Sequence, residues 1–539
     1  MLKRLFSPDS KSVTGAAILI STATLLSRLI GIIRDRTFAH FFGAGSVMDA
    51  YYAAFKIPDL IYSLLIAGAL TAGFIPTFTR LFYESEDKSK AWKLTNNIIS
   101  IVGVALLILG GLGIIFSPFL VKIVAPGFPP EQLKLVNTFT RIMLISPFLL
   151  GISMVIGGVL QSLRQFLLYS IAPIFYNFGI IIGIVFFTKF LGIAGLAWGV
   201  AFGSLLHLSV QIYGVIKNGY RWHWHFNLKD PDTRLIGKLM LPRTFGLAVN
   251  QINTVVITVI ASFLPLGSVA IFNYANNLQD VPTGIIGIPF ALAVFPILSR
   301  LTSPENRGEF GALISSTVRQ ILFLVIPLSV CFLLLRAQIT RVVLGTGAFD
   351  WNATIQTADT LAFFTLSLFA QSLIPLFARA FYSLNNTMTP FLISIISELI
   401  CIIGALLFMK PLGVAGLALA KSISALINMS ALAILLRKEV REIIDDKLLP
   451  LILKTSVAAL VMGIIIQYLK YPLAQIFDQH YFWGILMQGL IAALVGILAY
   501  GFICTVLRVD EMIHLKNSFK KRWLRLWNIG EGIDQAEKL

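Results

Sequence analysis

Apolar runs, most of about 18 residues or more, follow one another along nearly the whole chain with short polar breaks between them. A run of that length crosses a hydrocarbon core ~30 Å thick as a helix. In lipid, only a helix satisfies every backbone N–H and C=O within a single segment. The pattern therefore predicts an all-α polytopic membrane protein with about fourteen spans. They fall at 13–33, 49–80, 95–119, 133–161, 168–189, 193–216, 235–264, 268–299, 310–335, 355–384, 388–409, 412–436, 448–469 and 481–507.

The spans repeat. LGIAGLA at 191–197 returns as LGVAGLA at 412–418, a shift of 221 residues. At that shift Ser162 and Leu163 fall on Ser383 and Leu384, and Gly183 falls on Gly404. GSV at 45–47 returns at 267–269, each copy leading into a long span that ends in a related motif, FIPTFTRL at 74–81 and VFPILSRL at 294–301. Spans 1–6 and 7–12 thus read as two pseudo-symmetric six-helix lobes, with two further C-terminal helices. The expected division is 1–219, 220–440, 441–510 and a basic tail at 511–539. Transporters with parallel repeats bind near the midplane and work by alternating access.

Charge adds orientation. Lys and Arg crowd the N-terminus, the loops at 80–93, 217–238, 300–307 and 437–447, and the tail, whereas the intervening loops hold isolated cases such as Lys122, Lys189, Arg336, Arg341, Lys410 and Lys470. That alternation is the positive-inside pattern and puts both termini in the cytoplasm. It also accounts for the net charge of +17 without a nucleic-acid partner, because no soluble basic domain is present. Only 13% of residues are charged, about half the share of a soluble domain. No small-residue cleavage site follows Lys3 and Arg4, so the first apolar run reads as a retained helix. Cys331, Cys401 and Cys504 lie in apolar stretches without ligand spacing and read as core residues.

Ionisable groups inside spans are costly and usually face a cavity or a partner. Ser21, Thr24, Arg28 and Asp35 recur at helical spacing in span 1, with Arg34 ~100° around the helix and Gly31 between the arginines. Asp49, Tyr52, Lys56, Asp59 and Ser63 form a second stripe in span 2, interrupted by Pro58, which should kink or break the preceding turn. Arg28, Arg34, Asp35, Asp49 and Lys56 are the candidate substrate-binding residues of a hydrated, cationic cavity. Arginine suits it, since its fork binds phosphate bidentately and stays charged. The alternative is that Arg28, Arg34, Asp35 and Asp49 pair among themselves. In the second lobe Asn277, Asp280, Arg379, Glu398 and Lys421 are candidates, with Glu398 able to pair with Lys421 or Arg379 and Pro282 interrupting span 8.

Trp222-His223-Trp224-His225 offers a His-x-His pair, but no third ligand is near, and alternating Trp beside Arg221 fits an interfacial aromatic belt. No P-loop, Gly-x-Ser-x-Gly or His-Glu-x-x-His motif occurs, so the reading is a transporter and not an enzyme, with no cofactor and no metal.

The segment SRLIGIIRDRTFAHFFGAGSVMDAYYAAFKIPDL at 27–60 closely resembles the opening signature of the MurJ/MviN lipid II flippases, within the multidrug/oligosaccharidyl-lipid/polysaccharide exporter superfamily. The likeness continues through APGF at 125–128, PILSRL at 296–301 and FYSLNNTMTP at 381–390. It implies two six-helix lobes and two extra helices forming a groove for a lipid tail. It further implies translocation of undecaprenyl-diphosphate-linked disaccharide-pentapeptide across the bacterial cytoplasmic membrane, with membrane lipids and cell-wall synthesis enzymes as neighbours. It gives functional weight to Arg28, Arg34 and Asp49. The chain departs from the family where Tyr62, Ser63 and Asn277 stand in place of arginines, and it lacks an evident sodium site. Two alternatives stay open: a flippase for another polyprenyl-linked glycan, and a cation-coupled drug exporter, which would need an anionic pocket.

Overall fold

The computed structural model describes residues 13–64, 73–440, 443, 445–513 and 516. The basic start at Lys3 and Arg4 and the tail beyond 516 lie outside the described residues, as does the side chain of Ser21. The fold is all-α. Among the described residues, nine helices are long and apolar enough to cross a membrane, or ten if the bent pair Trp351–Thr365 and Leu368–Ser383 counts as one span.

The surface explains why such a chain needs lipid around it. Leu107, Ile108, Ile115, Phe116 and Phe119 are exposed along the Ser89–Val124 helix, and Leu399, Ile403, Leu406 and Leu407 along Met388–Leu412. Contiguous apolar stripes of this kind would aggregate in water. In hydrocarbon they are the solvated face.

The chain packs into two compact units. The first comprises 1–275, 343–360 and 398–420, and the second 276–342, 361–397 and 421–539. The first unit's core gathers Phe74, Phe78, Ile98, Val155, Leu160 and Leu208. Its tightest packing joins Phe166–Ile182 to Gly195–Lys217 through glycines. A side-chain carbon added at Gly199 would lie 2.6 Å from the Gly183 Cα, and one at Gly203 would run into the Tyr176 carbonyl. Gly179 and Gly183 stand four apart, as do Gly195, Gly199 and Gly203, so each helix presents a small-residue stripe to the other. In the second unit, Arg307–Leu334 packs on Leu368–Ser383 and on Leu448–Ile476, which in turn packs on Phe482–Val506.

Proline and glycine shape the helices that carry the candidate charges. The chain around Pro58 forms two short helices, Ser46–Ala54 and Lys56–Tyr62, with the break at Phe55. Pro58 has no N–H, and its ring crowds the carbonyl four residues back, at Ala54. After the second Gly-Ser-Val, Ser268–Pro282 runs through a π turn at Thr283–Gly287 into Ile288–Leu298. Pro282 therefore loosens the helix into a wider turn without ending it. All three cysteines are buried among apolar neighbours.

Candidate functional site

The first helix, Val13–Phe42, lies against Phe166–Ile182, and Arg34 joins the two. Its Nε and Nη2 donate to Asp35 Oδ1 at 3.0 and 2.8 Å, and its Nη1 donates to Asn177 Oδ1 at 3.0 Å. A guanidinium has five N–H groups. Three are committed here, which leaves one on each terminal nitrogen. Tyr51, Tyr52 and Tyr274 lie in electrostatic range of this pair and wall it. The arrangement fixes a cation in orientation. Arg28, six residues earlier, is half-buried with its Nε inside the protein.

The sequence alternative of internal pairing is realised for Arg34 and Asp35. Asp35 is 7% exposed and works by holding its neighbour. Asp49 departs further from its expected role. It is 1% exposed, and its two oxygens accept from the backbone N–H of Gly267 at 2.6 Å and of Ala270 at 2.8 Å. The carboxylate caps the N-terminus of Ser268–Pro282, whose unpaired amides and dipole favour a negative charge. Asp49 of the first GSV copy thus anchors the second. Its carboxylate is buried and committed to those two amides. The same turn is tied by Tyr274, whose hydroxyl donates to Gly43 O at 3.2 Å, and by Ala348 N–H, which donates to His40 O at 2.9 Å.

Lys56 is buried at 6% on the second short helix. One turn on, Asp59 is exposed and lies in electrostatic range of Lys56. Tyr176 lies in electrostatic range of both Asp59 and Arg34.

In the second unit the structure joins Lys421 to Asp280 through a residue that sequence reading passed over. Lys421 Nζ donates to Asn276 Oδ1 at 2.6 Å, and Asn276 Nδ2 donates to Asp280 Oδ2 at 3.0 Å. The ammonium also lies 5.5 Å from the Phe364 ring centre. Asn277, the candidate next door, is half-buried and makes neither of these bonds. Arg379 donates to the Pro375 carbonyl of its own helix at 3.5 Å. Glu398 falls in the first compact unit, whereas Lys421 and Arg379 fall in the second. A buried chain continues beside Lys421: Gln279 donates to Gln371 at 2.6 Å, Gln371 to Ser367 at 2.8 Å, and Ser367 to Ser422 at 2.9 Å.

Two further groups escaped the sequence reading. Arg319, inside predicted span 9, binds both Asp445 and Glu511, the latter at 3.0 Å. Its charge within an apolar run was the available signal. The second is an apolar cavity of about 530 Å³ lined by Leu322, Ile326, Phe369, Leu373, Leu448 and Ile452, among others. The Trp222 segment is non-helical and pinned by Asn96 and Asn97, with Trp222, Trp224 and Phe226 exposed and in ring contact in sequence.

Against known proteins, residues 38–491 match the family model described as Lipid II flippase MurJ. The chain belongs to the MurJ lipid II flippase family. A Burkholderia cenocepacia protein named Lipid II flippase MurJ is 30% identical over 432 residues, covering 78% of this chain and 83% of its own. A Buchnera aphidicola relative, named Probable lipid II flippase MurJ, is 30% identical over 464 residues, 84% of this chain and 89% of its own. A solved MurJ structure in an inward closed conformation superposes with a TM-score of 0.75 at 26% identity, covering 92% of this chain and 99% of that one. An inward-facing MATE family multidrug transporter of the MOP superfamily shares the fold, with a TM-score of 0.65 at 16% identity over 79% of this chain and 98% of that one. As a MurJ family member this chain is a multi-pass inner-membrane transporter and not an enzyme.

Proposed function

We propose that this chain translocates lipid II, the undecaprenyl-diphosphate-linked peptidoglycan precursor, by alternating access. The observation that carries the reading is Arg34, a guanidinium fixed by Asp35 and Asn177 with three of its five N–H groups committed to them. A diphosphate in hydrocarbon is prohibitively costly unless charge and hydrogen bonds accompany it. A guanidinium supplies both. Arg28 and Arg34 hold the diphosphate while the sugars and peptide stay hydrated and the polyprenyl chain stays in lipid. No bond is made or broken.

The finer architecture belongs to the same proposal: about fourteen spans, the two six-helix lobes at 1–219 and 220–440, two extra helices within 441–510, and both termini cytoplasmic. The apolar cavity beside Leu448–Ile476 supports a groove for the lipid tail, since its walls offer almost no polar group. Cell-wall synthesis enzymes are natural neighbours of such a flippase.

The test is rescue of a bacterium depleted of its own lipid II flippase. The wild type should restore growth, and Arg28→Ala and Arg34→Ala, inserted at equal levels, should not. A well-inserted wild type that fails to rescue would move the reading to another polyprenyl-linked cargo.

A further inference from the structure

Two turns, one from each repeat, meet inside the first compact unit, which holds residues 1–275 and 343–360. The first is Ala125–Phe128, after the third predicted span, and the second is Thr346–Phe349, after the ninth. They match at the 221-residue shift, and each is closed by the same bond: Phe128 N–H to Ala125 O and Phe349 N–H to Thr346 O, both at 3.2 Å. Both phenylalanines are buried and hold their turns in place. Each turn docks on the end of the other repeat's first helix. Gly127 N–H donates to Ser262 Oγ at 3.0 Å, just past Pro231–Ala261, and Ala348 N–H donates to His40 O at 2.9 Å, in the last turn of Val13–Phe42. His40 and Ser262 are themselves equivalent, at the 222-residue shift. A side-chain carbon at Gly127 would run into the Ser262 carbonyl, and one at Gly347 into the His40 carbonyl, so backbone lies on backbone at both places. Between them Gly43 lies against Ala348 and Gly267 against Ala44, which joins the halves into one two-fold seam.

A seam of this kind suits a contact that opens and closes. Gly127, His40 and Ala348 are exposed, so water takes over the hydrogen bonds when turn and helix end separate, and opening strands no buried amide. Two equivalent contacts also release together when one lobe rocks against the other. On the proposed topology this end of the first helix faces away from the cytoplasm. Arg34 stands six residues before His40, about 9 Å along the helix.

We propose that this seam is the outer gate of the transport path, closed in this structure, and that both turns must leave their helix ends before a headgroup held at the arginines passes outward. The inference rests on the lipid II reading and adds its moving part. The competing explanation is a permanent clamp that stays shut in every state.

The experiment locks the gate in the full chain. His40 Nδ1 lies 3.0 Å from Thr346 Oγ1, so His40→Cys/Thr346→Cys places two thiols across one half of the seam and leaves the backbone bond in place. Cys331, Cys401 and Cys504 are buried, so the introduced pair is the one that reagents reach. Flipping of labelled lipid II in proteoliposomes is followed after oxidation, after reduction, and after linking the pair with a short bismaleimide. The reduced pair should flip at the wild-type rate, the linked pair should fall at least tenfold, and reductant should restore the oxidised sample. Each single variant should ignore the oxidant. Undiminished flipping by fully linked protein overturns the gate and leaves the flippase reading intact, and so does a pair that neither reagent joins. A reduced pair that is inactive beside an active wild type places these side chains in the transport step itself and also overturns the gate. A folded wild type that moves no lipid II overturns both.

Discussion

Removing the Asp49 carboxylate tests the assignment of that residue as a helix cap. Asp49→Ala strands the N–H groups of Gly267 and Ala270, which now donate at 2.6 and 2.8 Å in a site 1% exposed. Each buried, unsatisfied amide costs about 1–3 kcal/mol, and loss of a cap alone costs about 1 kcal/mol. For two amides the expected total is about 2–6 kcal/mol, the lost cap being those same two bonds. Asp49→Asn keeps one acceptor oxygen but turns an NH₂ toward the second amide, so about half of that loss should remain. Thermal unfolding in detergent, followed by loss of the monodisperse peak, should place Asp49→Ala several degrees below the wild type and Asp49→Asn between them. Arg34→Ala, which leaves this turn intact, provides the contrast for cargo binding. If Asp49→Ala unfolds with the wild type yet no longer binds lipid II, the residue acts on cargo and the capping argument is wrong.

Other expectations follow from the same contacts. Gly199→Leu should abolish the close approach to Gly183 and yield little folded protein, measured as monodisperse yield, whereas Gly31→Leu, with open space at that position, should be tolerated. Arg319→Leu leaves Asp445 and Glu511 facing each other without their cation, a loss of about 3–5 kcal/mol for a broken partly buried pair; limited proteolysis should then cut faster near 440–447. Asn276→Leu removes the amide between Lys421 and Asp280 and should slow transport without lowering the unfolding temperature by more than a few degrees. Unchanged transport in that variant would make the link purely structural.

Some of this was legible in the sequence and some was not, for identifiable reasons. Run length and polar breaks depend only on local composition, so the helical membrane class followed directly. The break at Phe55 and the π turn after Pro282 followed from proline chemistry, although which distortion arose depended on surrounding packing. The glycine stripes were readable at spacing four, but only the fold brings 179–183 against 195–203. Partner choice was the weak point. Arg34 takes Asn177, 143 residues away, and Lys421 takes Asn276, 145 residues away. A helical stripe says which way a side chain points along its own helix and nothing about the amide it will meet. Asp49 shows the same limit, since a carboxylate spaced to face a cavity and one spaced to cap a distant helix look alike until the second GSV turn is placed beside it.

The central claim is that cations on the first helix carry a lipid-linked diphosphate through the membrane. Reconstituting the purified chain in vesicles and following the exposure of labelled lipid II in the opposite leaflet tests it most directly, with Arg28→Ala/Arg34→Ala beside the wild type. The account expects protein-dependent flipping by the wild type and background rates from the folded double variant. Wild-type flipping by that variant would contradict it.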